Sequence, residues 1–402
     1  MLLSAILPFF VVLEQHLWKV EKLYSPLIPK KLLTTSSVQY TPPQYPQYTD
    51  RTIGEWKWFS PDLWTTGFLP AMLYELNSRR QLCHGPGAGD ADTDWVGLGR
   101  TWSAAEIPLE VKNHVHHDVG FLSYPFVQEL LLNPGNETAL EAVNTFAADL
   151  VARFSPIVGC TRSWDNPDPT LFRVIIDNMM NLEVLFDSYT LTGNSTLVDI
   201  ATSHADKTLL NHVRPDGSSF HVVEYNATTG EVIARITAQG YSDNSTWSRG
   251  QAWGIHAFAN MFAHTKNTSY LETSRKMASY FLDNLPSDNV VPWDFNAPLV
   301  PMRPADTSAA TIVSTGLLLL AQKEISLSPP NTANAARWIY GTWKILNAVT
   351  NLAWKPSWQS FLSNGTVNNH YPSANNDTGT IYGDYFFLKA GNELVKMGLA
   401  HC

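Results

Sequence analysis

Apolar and polar residues repeat along this chain with a helical period, and a recurring turn signal separates the helices that they predict. Four stretches rich in Asn, Thr, Ser, Pro and Gly combine a helix-ending signal with a helix-starting one. These stretches are residues 133–138, 192–196, 265–269 and 326–332. Each joins a helix of small, apolar residues to an amphipathic one. After Asn194, for example, Leu197 and Ile200 share one face while Asp199 and Asp206 share the other. The pattern predicts a series of helical hairpins.

The apolar helices number six along the chain. They begin near Trp64, Gly120, Ile176, Gly250, Thr307 and Gly383. Six such helices, each with an outer partner, close into an (α/α)6 barrel. The alternative is an open solenoid, which would need polar capping repeats that the sequence does not show. We therefore predict an all-α fold in which residues 51–402 form one catalytic domain. Residues 1–50 are predicted to form an N-terminal helix and an extended tether packed on the barrel.

The most apolar stretch, residues 171–186, is predicted to be a helix buried on every side. Asp177 lies near its start, with Asn181 one turn later on the same face. Burying a carboxyl group among Val, Ile and Met is costly unless the group is paired or protonated. Such a site raises a carboxyl pKa, which suits a proton donor at neutral pH. Asp177 is therefore a candidate acid, and the alternative is a structural Asp that serves the helix dipole.

The one clear β element is a hairpin of residues 219–226 and 231–237, with a turn that contains Gly230. In the predicted barrel, the loops that lead into the inner helices meet at one end, which we call the mouth. Polar and aromatic residues in those loops are site candidates. They are Trp64, His116, His117, Asp118, Asp177, His221, Gln239, Trp247, Arg249 and Trp253.

Two of these candidates are acids on successive inner helices. Asp118 and Asp177 would face each other across the mouth, and paired carboxyl groups are the usual machinery of glycoside hydrolysis. Arg249 and Trp253 are one helical turn apart and suit a sugar carboxylate, through bidentate hydrogen bonds and ring stacking.

Each of these interpretations has a structural alternative. Arg249 would instead form a salt bridge with Asp243 or another acid, and His221 would be an exposed hairpin residue. For Trp164 and Trp253 the alternative is packing in the core. His116 and His117 are adjacent, but no third ligand follows at a recognisable spacing, so we predict no metal site.

Amino-acid composition limits the classes of binding partner and bears on the cellular compartment. The 402 residues carry a net charge of −9 and no Lys/Arg-rich run, which argues against nucleic acid. Fourteen Trp and 15 Tyr suit a sugar site or a large core equally well.

The apolar start of the chain is too short to span a membrane, and it resembles a signal-peptide core without a clear cleavage site. Three cysteines allow one disulfide but imply none. A glycan on Asn244, within a potential glycosylation sequence, would crowd the mouth. We therefore predict a cytoplasmic protein, with secretion as the alternative.

Three motifs resemble those of the unsaturated glucuronyl hydrolases, glycoside hydrolase family 88, in a fungal-type member. They are His-Asp-Val-Gly-Phe at 117–121, Ile-Asp-Asn-Met-Met-Asn at 176–181, and Gly-Tyr-Ser-Asp with Trp-Ser-Arg-Gly-Gln-Ala-Trp-Gly within 240–254. Residues 292–295 and 381–386 are also similar to the family. The likeness runs in collinear order from about Trp18 onward.

The resemblance implies an (α/α)6 barrel that removes a terminal 4,5-unsaturated uronic acid from oligosaccharides left by polysaccharide lyases. In the family an Asp protonates C4 of the vinyl ether, water adds at C5, and the resulting hemiketal opens and releases the aglycone. By position Asp177 matches the acid/base and Asp118 the second essential carboxylate. The residues expected to surround the substrate are Trp64, His117, Trp164, His221, Gln239, Trp247, Arg249 and Trp253. No metal or organic cofactor is implied.

Three rival functions stay open at this stage. An unsaturated rhamnogalacturonyl hydrolase would use the same chemistry on pectin fragments, and an ordinary glycosidase would cleave saturated substrates. A non-catalytic helical-array binding protein would need no acid at position 177. Residues 371–373 match the family only loosely, so the aglycone is not predicted, and neither is the oligomeric state.

Overall fold

The computed structural model describes residues 20–41, 43–83 and 92–402. The apolar start of the chain, residues 1–19, lies outside the described residues, and so does the glycine-rich segment 85–90, for which the sequence predicts a loop. The α-helices are α1 (Leu27–Ser37), α2 (Phe68–Leu82), α3 (Trp95–Ser103), α4 (Val119–Leu122), α5 (Tyr124–Leu132), α6 (Glu137–Ala152), α7 (Asn178–Asn181), α8 (Glu183–Thr192), α9 (Thr196–Asn211), α10 (Ser248–Thr265), α11 (Thr268–Asp283), α12 (Thr307–Ile325), α13 (Thr332–Ala353) and α14 (Ile381–Lys396). Short 3-10 turns cover Glu21–Tyr24, Ala104–Glu110 and His116–Asp118.

These helices form the predicted (α/α)6 barrel. The inner ring consists of α2, α4 with α5, α7 with α8, α10, α12 and α14, and these helices begin at the mouth. The outer helices α3, α6, α9, α11 and α13 each follow their inner partner. The predicted turn signals fall at the joins. Asn136, Asn267 and Asn331 cap α6, α11 and α13 by accepting backbone N–H hydrogen bonds. Gly193 ends α8 in the left-handed conformation, with φ of 72°.

The N-terminal part of the chain contacts the last inner helix. Tyr24 donates a hydrogen bond from its hydroxyl to the Gly391 carbonyl, 3.0 Å away. Helix α1 is held by the buried Lys31, whose Nζ donates to the carbonyl oxygens of Lys355 and Ser360, each at 2.7 Å. Burial lowers the pKa of Lys31 to about 8. Nη1 of Arg79 in α2 donates to the carbonyl oxygen of Leu23 at 2.6 Å, so this segment contacts both the first and the last inner helix.

The strands are β1 (Tyr45–Thr49), β2 (Trp56–Phe59), β3 (Phe154–Ser155), β4 (Cys160–Thr161), β5 (Leu171–Ile175), β6 (Val222–Asn226) and β7 (Val232–Ile236). All pairings are antiparallel, β1 with β2, β3 with β4, and β5–β6–β7 as a three-stranded sheet. The predicted hairpin corresponds to β6 and β7. Strand β1 includes part of the predicted tether, which is therefore paired with β2 rather than free.

The prediction of one helix over residues 171–186 was wrong. Residues 171–175 form β5, whose register pairs Ile175 with Val222 and Leu171 with Asn226. The helix begins only after Asp177, as α7, and continues as α8. Phe172 and Val174 are buried against β4 and β6, whereas Leu171 and Arg173 are half-buried, so an apolar run of this length did not imply a helix.

Near the mouth, the inner helices α4 and α7 are in close contact because the residue between them is Gly120. A Cβ atom placed on Gly120 in α4 would lie 2.7 Å from the Cα of Asn181 in α7. Since Cβ atoms do not approach backbone this closely, only Gly allows these two helices to meet.

A disulfide joins Cys83, just after α2, to Cys402, with the two Cα atoms 5.6 Å apart. Cys160 is a buried free thiol. The structure therefore contains the one disulfide that the three cysteines allowed but did not imply. Across the described part of the chain, every helix is too short or too polar to cross a bilayer.

Candidate active site

The mouth collects polar side chains because several inner helices begin there with an acid or an aromatic residue. Asp177 occupies the position before α7, directly after β5. Asp118 ends the 3-10 turn that leads into α4. Trp247 precedes α10, and Asp306 caps α12 by accepting a hydrogen bond from the Ser308 N–H. Residues at the starts of different helices are thereby placed around one opening.

The two candidate acids meet at one imidazole. Nε2 of His117 lies 3.3 Å from Oδ1 of Asp118 and 3.6 Å from Oδ1 of Asp177. The side chains of Asp118 and Asp177 are 17% and 15% exposed, whereas His117 is fully buried. The acids can therefore reach a ligand in the mouth, while the imidazole lies behind them.

The hydrogen bonds of His117 define where its proton lies. Its Nδ1 donates to the carbonyl oxygen of Ser163 at 3.0 Å. Nε2 and Oδ1 of Asp177 are buried and have no other hydrogen-bond partner among the described residues. Two carboxyl oxygens and a ring nitrogen this close repel one another unless a proton lies between them. The arrangement thus requires His117 to share a proton with the acids.

The pKa shifts agree with this arrangement. Burial raises the pKa of Asp118 to about 7, with a further upward effect of Asp177 and an opposing effect of His117. Burial alone would lower the pKa of His117, but the carboxylates of Asp118 and Asp177 outweigh it, so that this pKa is raised. One proton is therefore retained beside Asp177 up to near-neutral pH.

His221 presents a fixed hydrogen-bond donor to the site. Its Nδ1 accepts hydrogen bonds from the backbone N–H groups of Ala238 and Gln239, at 3.1 and 3.3 Å. Burial lowers the pKa of His221 to about 4, so the ring is neutral and carries its hydrogen on Nε2. This nitrogen is buried and has no partner among the described residues. The imidazole is packed against Trp247, with ring centroids 4.4 Å apart, rather than exposed on the hairpin.

Arg249 forms the salt bridge that the sequence left as an alternative, and its partner is Asp306 rather than Asp243. Nη1 of Arg249 donates to Oδ2 of Asp306 at 2.6 Å and to the carbonyl of Thr366 at 2.6 Å, and Nη2 donates to the carbonyl of Val367 at 3.0 Å. Both charged side chains are buried, at 2% and 0% exposure. The guanidinium therefore ties α10 to α12 and to the loop at residues 365–378.

The aromatic candidates surround this centre at different depths. Trp164 is half-buried and meets His221 edge-on at 6.2 Å. Trp247 lies beneath the Arg249 guanidinium at 4.6 Å, and Trp64 packs on Tyr382 at 4.7 Å. Trp253 is buried one turn below, against Phe121 and Phe386 at 5.6 and 5.3 Å. Trp253 therefore packs in the core, which was the structural alternative to a role in sugar binding.

Gln239 lies on the loop side of the mouth. Its Nε2 donates to the carbonyl oxygen of Val367 at 3.1 Å, the same oxygen that accepts from Arg249. His116 points elsewhere and contacts Asp165 at 3.2 Å. Within the described part of the chain there is no group of three His, Cys, Asp or Glu side chains arranged to hold a metal ion.

Several residues of the site were not among the sequence candidates. They are Ser163, Asn178, Asn181, Thr237, Asp306, Thr366, Val367 and Tyr382. Asp306 carries the same signal as Asp118 and Asp177, an acid at the start of an inner helix, and could have been found by it. Thr366 and Val367 act through backbone carbonyls, which no side-chain motif reveals.

Comparisons with known proteins give one consistent relationship. No family model matches the sequence. An unsaturated glucuronyl hydrolase from Formosa agariphila is 34% identical over 334 residues, covering 81% of this chain and 78% of the relative. An unsaturated chondroitin disaccharide hydrolase from Streptococcus pneumoniae is 31% identical over 68% of this chain and 69% of its own. A crystal structure of an unsaturated glucuronyl hydrolase specific for heparin superposes with a TM-score of 0.82 at 28% identity, over 95% of this chain and 98% of that one.

Proposed function

Because this chain belongs to the unsaturated glucuronyl hydrolase family, we propose that it releases a terminal 4,5-unsaturated glucuronic acid from oligosaccharides made by polysaccharide lyases. The observation that carries the proposal is the meeting of Asp118 and Asp177 at His117 in the mouth. A pair of acids that holds one proton at neutral pH suits protonation of carbon. Among the relatives described above, one is named as a hydrolase of unsaturated chondroitin disaccharides and one as specific for heparin.

In the proposed reaction Asp177 gives its proton to C4 of the C4=C5 double bond, and the positive charge develops on C5 and the ring oxygen. Water then adds to C5 and returns a proton to Asp177. The hemiketal so formed opens by breaking the bond between C5 and the ring oxygen, which leaves a ketone at C5. C1 becomes a hemiacetal that expels the aglycone as an alcohol. The overall change is the addition of one water molecule.

We assign the remaining side chains by their position. Asp118 keeps a proton up to about pH 7, so the group of Asp118, His117 and Asp177 holds the proton that Asp177 gives to C4. Nε2–H of His221 is a free donor for the substrate or for the attacking water. The half-buried ring of Trp164 offers an apolar face to the sugar. His117 and Arg249 are buried, so we propose that they position the site instead of touching the substrate.

Replacing Asp177 by Asn tests the assignment directly. The amide has the shape of the acid but no proton to give, so turnover should fall by about a hundredfold or more. Loss of the absorbance of the double bond measures the reaction, and circular dichroism checks that the variant is folded. Asp199→Asn, the same change on the exposed face of α9, serves as the control. Full activity of Asp177→Asn would overturn the proposal.

The substrate is best decided by a panel of lyase products. Unsaturated oligosaccharides from chondroitin, heparin, gellan and rhamnogalacturonan differ in the aglycone, in the linkage to it and in sulfation. Turnover confined to the rhamnogalacturonan product would favour the pectin-directed alternative, and release of sugar from a saturated glycoside would favour an ordinary glycosidase. A fungal origin stays a prediction, since the relatives compared here come from bacteria.

The disulfide bears on the compartment. The cytoplasmic prediction depended partly on sparse cysteines, yet Cys83 and Cys402 are paired. Disulfides persist in oxidising environments, so this bond favours the secreted alternative. Counting free thiols in the protein from its native source tests this, because a secreted protein would show one free thiol and a cytoplasmic one would show three.

A further inference from the structure

A second cavity lies at the other end of the barrel from the mouth. It has a volume of about 340 Å³ and is lined by the later turns of the inner helices. Met179 and Met180 of α7 form part of its lining, so a single turn of helix separates it from Asp177. We call it the base cavity. Its size is at the lower end of the range for small-molecule sites.

The base cavity is lined by charged and aromatic groups rather than by apolar side chains alone. Glu75, Glu183, Asp187 and Glu393 contribute carboxylates, and Lys389 and Lys396 contribute ammonium groups. The rings of Tyr124 and Tyr385 line the same space, with centroids 5.7 Å apart. The lining therefore includes more acids than lysines, within reach of two aromatic rings.

Most of these carboxylates already have partners. Glu393 pairs with Lys396 at 2.9 Å and accepts from Gln322 at 3.1 Å. Oε2 of Glu183 lies 3.0 Å from Nε2 of His264. Oε2 of Glu75 accepts from Asn392 at 2.7 Å. These pairs account for three of the four acids.

Asp187 is the exception. It lies one turn after Glu183 on α8, is half-buried, and has no hydrogen bond or ion pair to any described residue. The charge of Lys389 acts on Asp187, but its Nζ donates to the hydroxyl of Tyr385 at 3.3 Å and lies 5.5 Å from the centroid of the Tyr385 ring. Burial, and then the neighbouring Glu183, raises the pKa of Asp187. A recessed acid beside another acid is stabilised by a cation placed between them.

We propose that the base cavity is a second binding site, which takes a small organic ammonium ion with Asp187 as its charge partner. A carboxylate and aromatic faces are the groups that recognise such an ion in proteins. An organic ion fits better than a metal ion, because no three His, Cys, Asp or Glu side chains of the described residues are arranged as metal ligands. The proposal is independent of the chemistry at the mouth.

Calorimetric titration of the full chain with 1,4-diaminobutane tests the proposal, with sodium chloride matched in ionic strength as the blank. One equivalent should bind, and Asp187→Asn should weaken binding at least tenfold. Lys389→Gln removes the competing positive charge and should strengthen binding. Asp199→Asn, on the outer surface, should bind as the wild type does.

Two results would overturn the proposal. One is the absence of saturable binding to the wild type, and the other is equal affinity in the wild type and in both cavity variants. Turnover of an unsaturated disaccharide, measured on the same preparations, shows that each variant is folded. Activity should stay within about twofold of the wild type, because neither residue contacts the mouth, so failure here is distinguishable from failure of the proposed function.

Discussion

At the scale of single residues, the proton shared by Asp118, His117 and Asp177 is the feature on which activity depends. The folded-state pKa of Asp118, about 7, is higher than that of an ordinary Asp. Its contribution to stability is therefore complete below the ordinary Asp pKa and is lost as the pH rises through 7. Activity should decline over the same upper range, because the pair then loses its proton.

Changing His117 to Gln tests whether the imidazole controls this proton. Gln keeps a hydrogen-bond donor near the two acids but carries no charge, whereas the charge of His117 lowers the pKa of Asp118. The basic limb of the pH–kcat profile should move up by about one pH unit. KM should change little if His117 positions the acids, as we propose, instead of binding the substrate. A large rise in KM with an unshifted profile would instead indicate substrate binding by His117.

The stability of the protein should depend on Arg249, because its salt bridge with Asp306 is buried. Arg249→Met leaves Asp306 buried without its charge partner, which should lower the free energy of unfolding by about 3–5 kcal/mol. Urea unfolding measures this loss. Arg173→Met, in a more exposed pair with Glu224, should cost about 1 kcal/mol or less. Wild-type stability of Arg249→Met together with a raised KM would show that Arg249 binds the substrate carboxylate.

The limits of residue-level prediction are visible at these same positions. Asp118, Asp177 and His221 could be predicted as candidates because the local helix pattern places them on segments that lead into the inner helices, and those segments meet at the mouth. The partner of Arg249 could not, since Asp306 is 57 residues away and is brought near only by the barrel. The tautomer of His221 depends on two backbone N–H groups, whose orientation no local pattern reveals.

At the scale of elements, the packing of α4 against α7 sets the distance between the two acids. Gly120→Ala would place a methyl group 2.6 Å from Oδ1 of Asn181, which also donates from Nδ2 to Asp118. We expect a loss of about 1–3 kcal/mol in stability and a marked loss of turnover, because α7 must shift. Gly135→Ala is the matched control, since its added methyl group meets nothing within 4 Å. Equal stability and turnover in the two variants would show that the close contact between α4 and α7 does not require Gly120.

Prediction of elements from the sequence succeeded where periodicity was long and failed where it was short. Helices such as α11 and α13 show several turns of regular burial, and Asn267 and Asn331 cap their starts. The five residues of β5 carry no such period, and an apolar run of that length suits a buried strand as well as a helix. Its pairing with β6 is a long-range choice, because the strands are separated by α7, α8 and α9.

At the scale of the whole molecule, the disulfide joins two distant parts of the sequence. The (α/α)6 barrel could be predicted because each hairpin is local, but the bond between Cys83 and Cys402 spans 319 residues, and no spacing rule pairs them. It fastens the end of the chain, where Leu399 and Ala400 are buried, to the end of the first inner helix. The last and first inner helices are thus held together where the ring closes.

Cys402→Ser should therefore lower the free energy of unfolding by about 2–5 kcal/mol, because the unfolded chain regains the freedom that the bond removes. Denaturant unfolding with and without a thiol reductant measures the effect. Reductant should destabilise the wild type to the level of the variant and leave the variant unchanged, since its remaining thiols have no bond to lose. Turnover at a temperature far below the transition should be equal in both proteins, because the bond lies at the ends of the helices remote from Asp177. If reductant leaves the wild-type transition where it was, ring closure depends on packing of α2 against α14 alone, and the bond contributes nothing to the barrel.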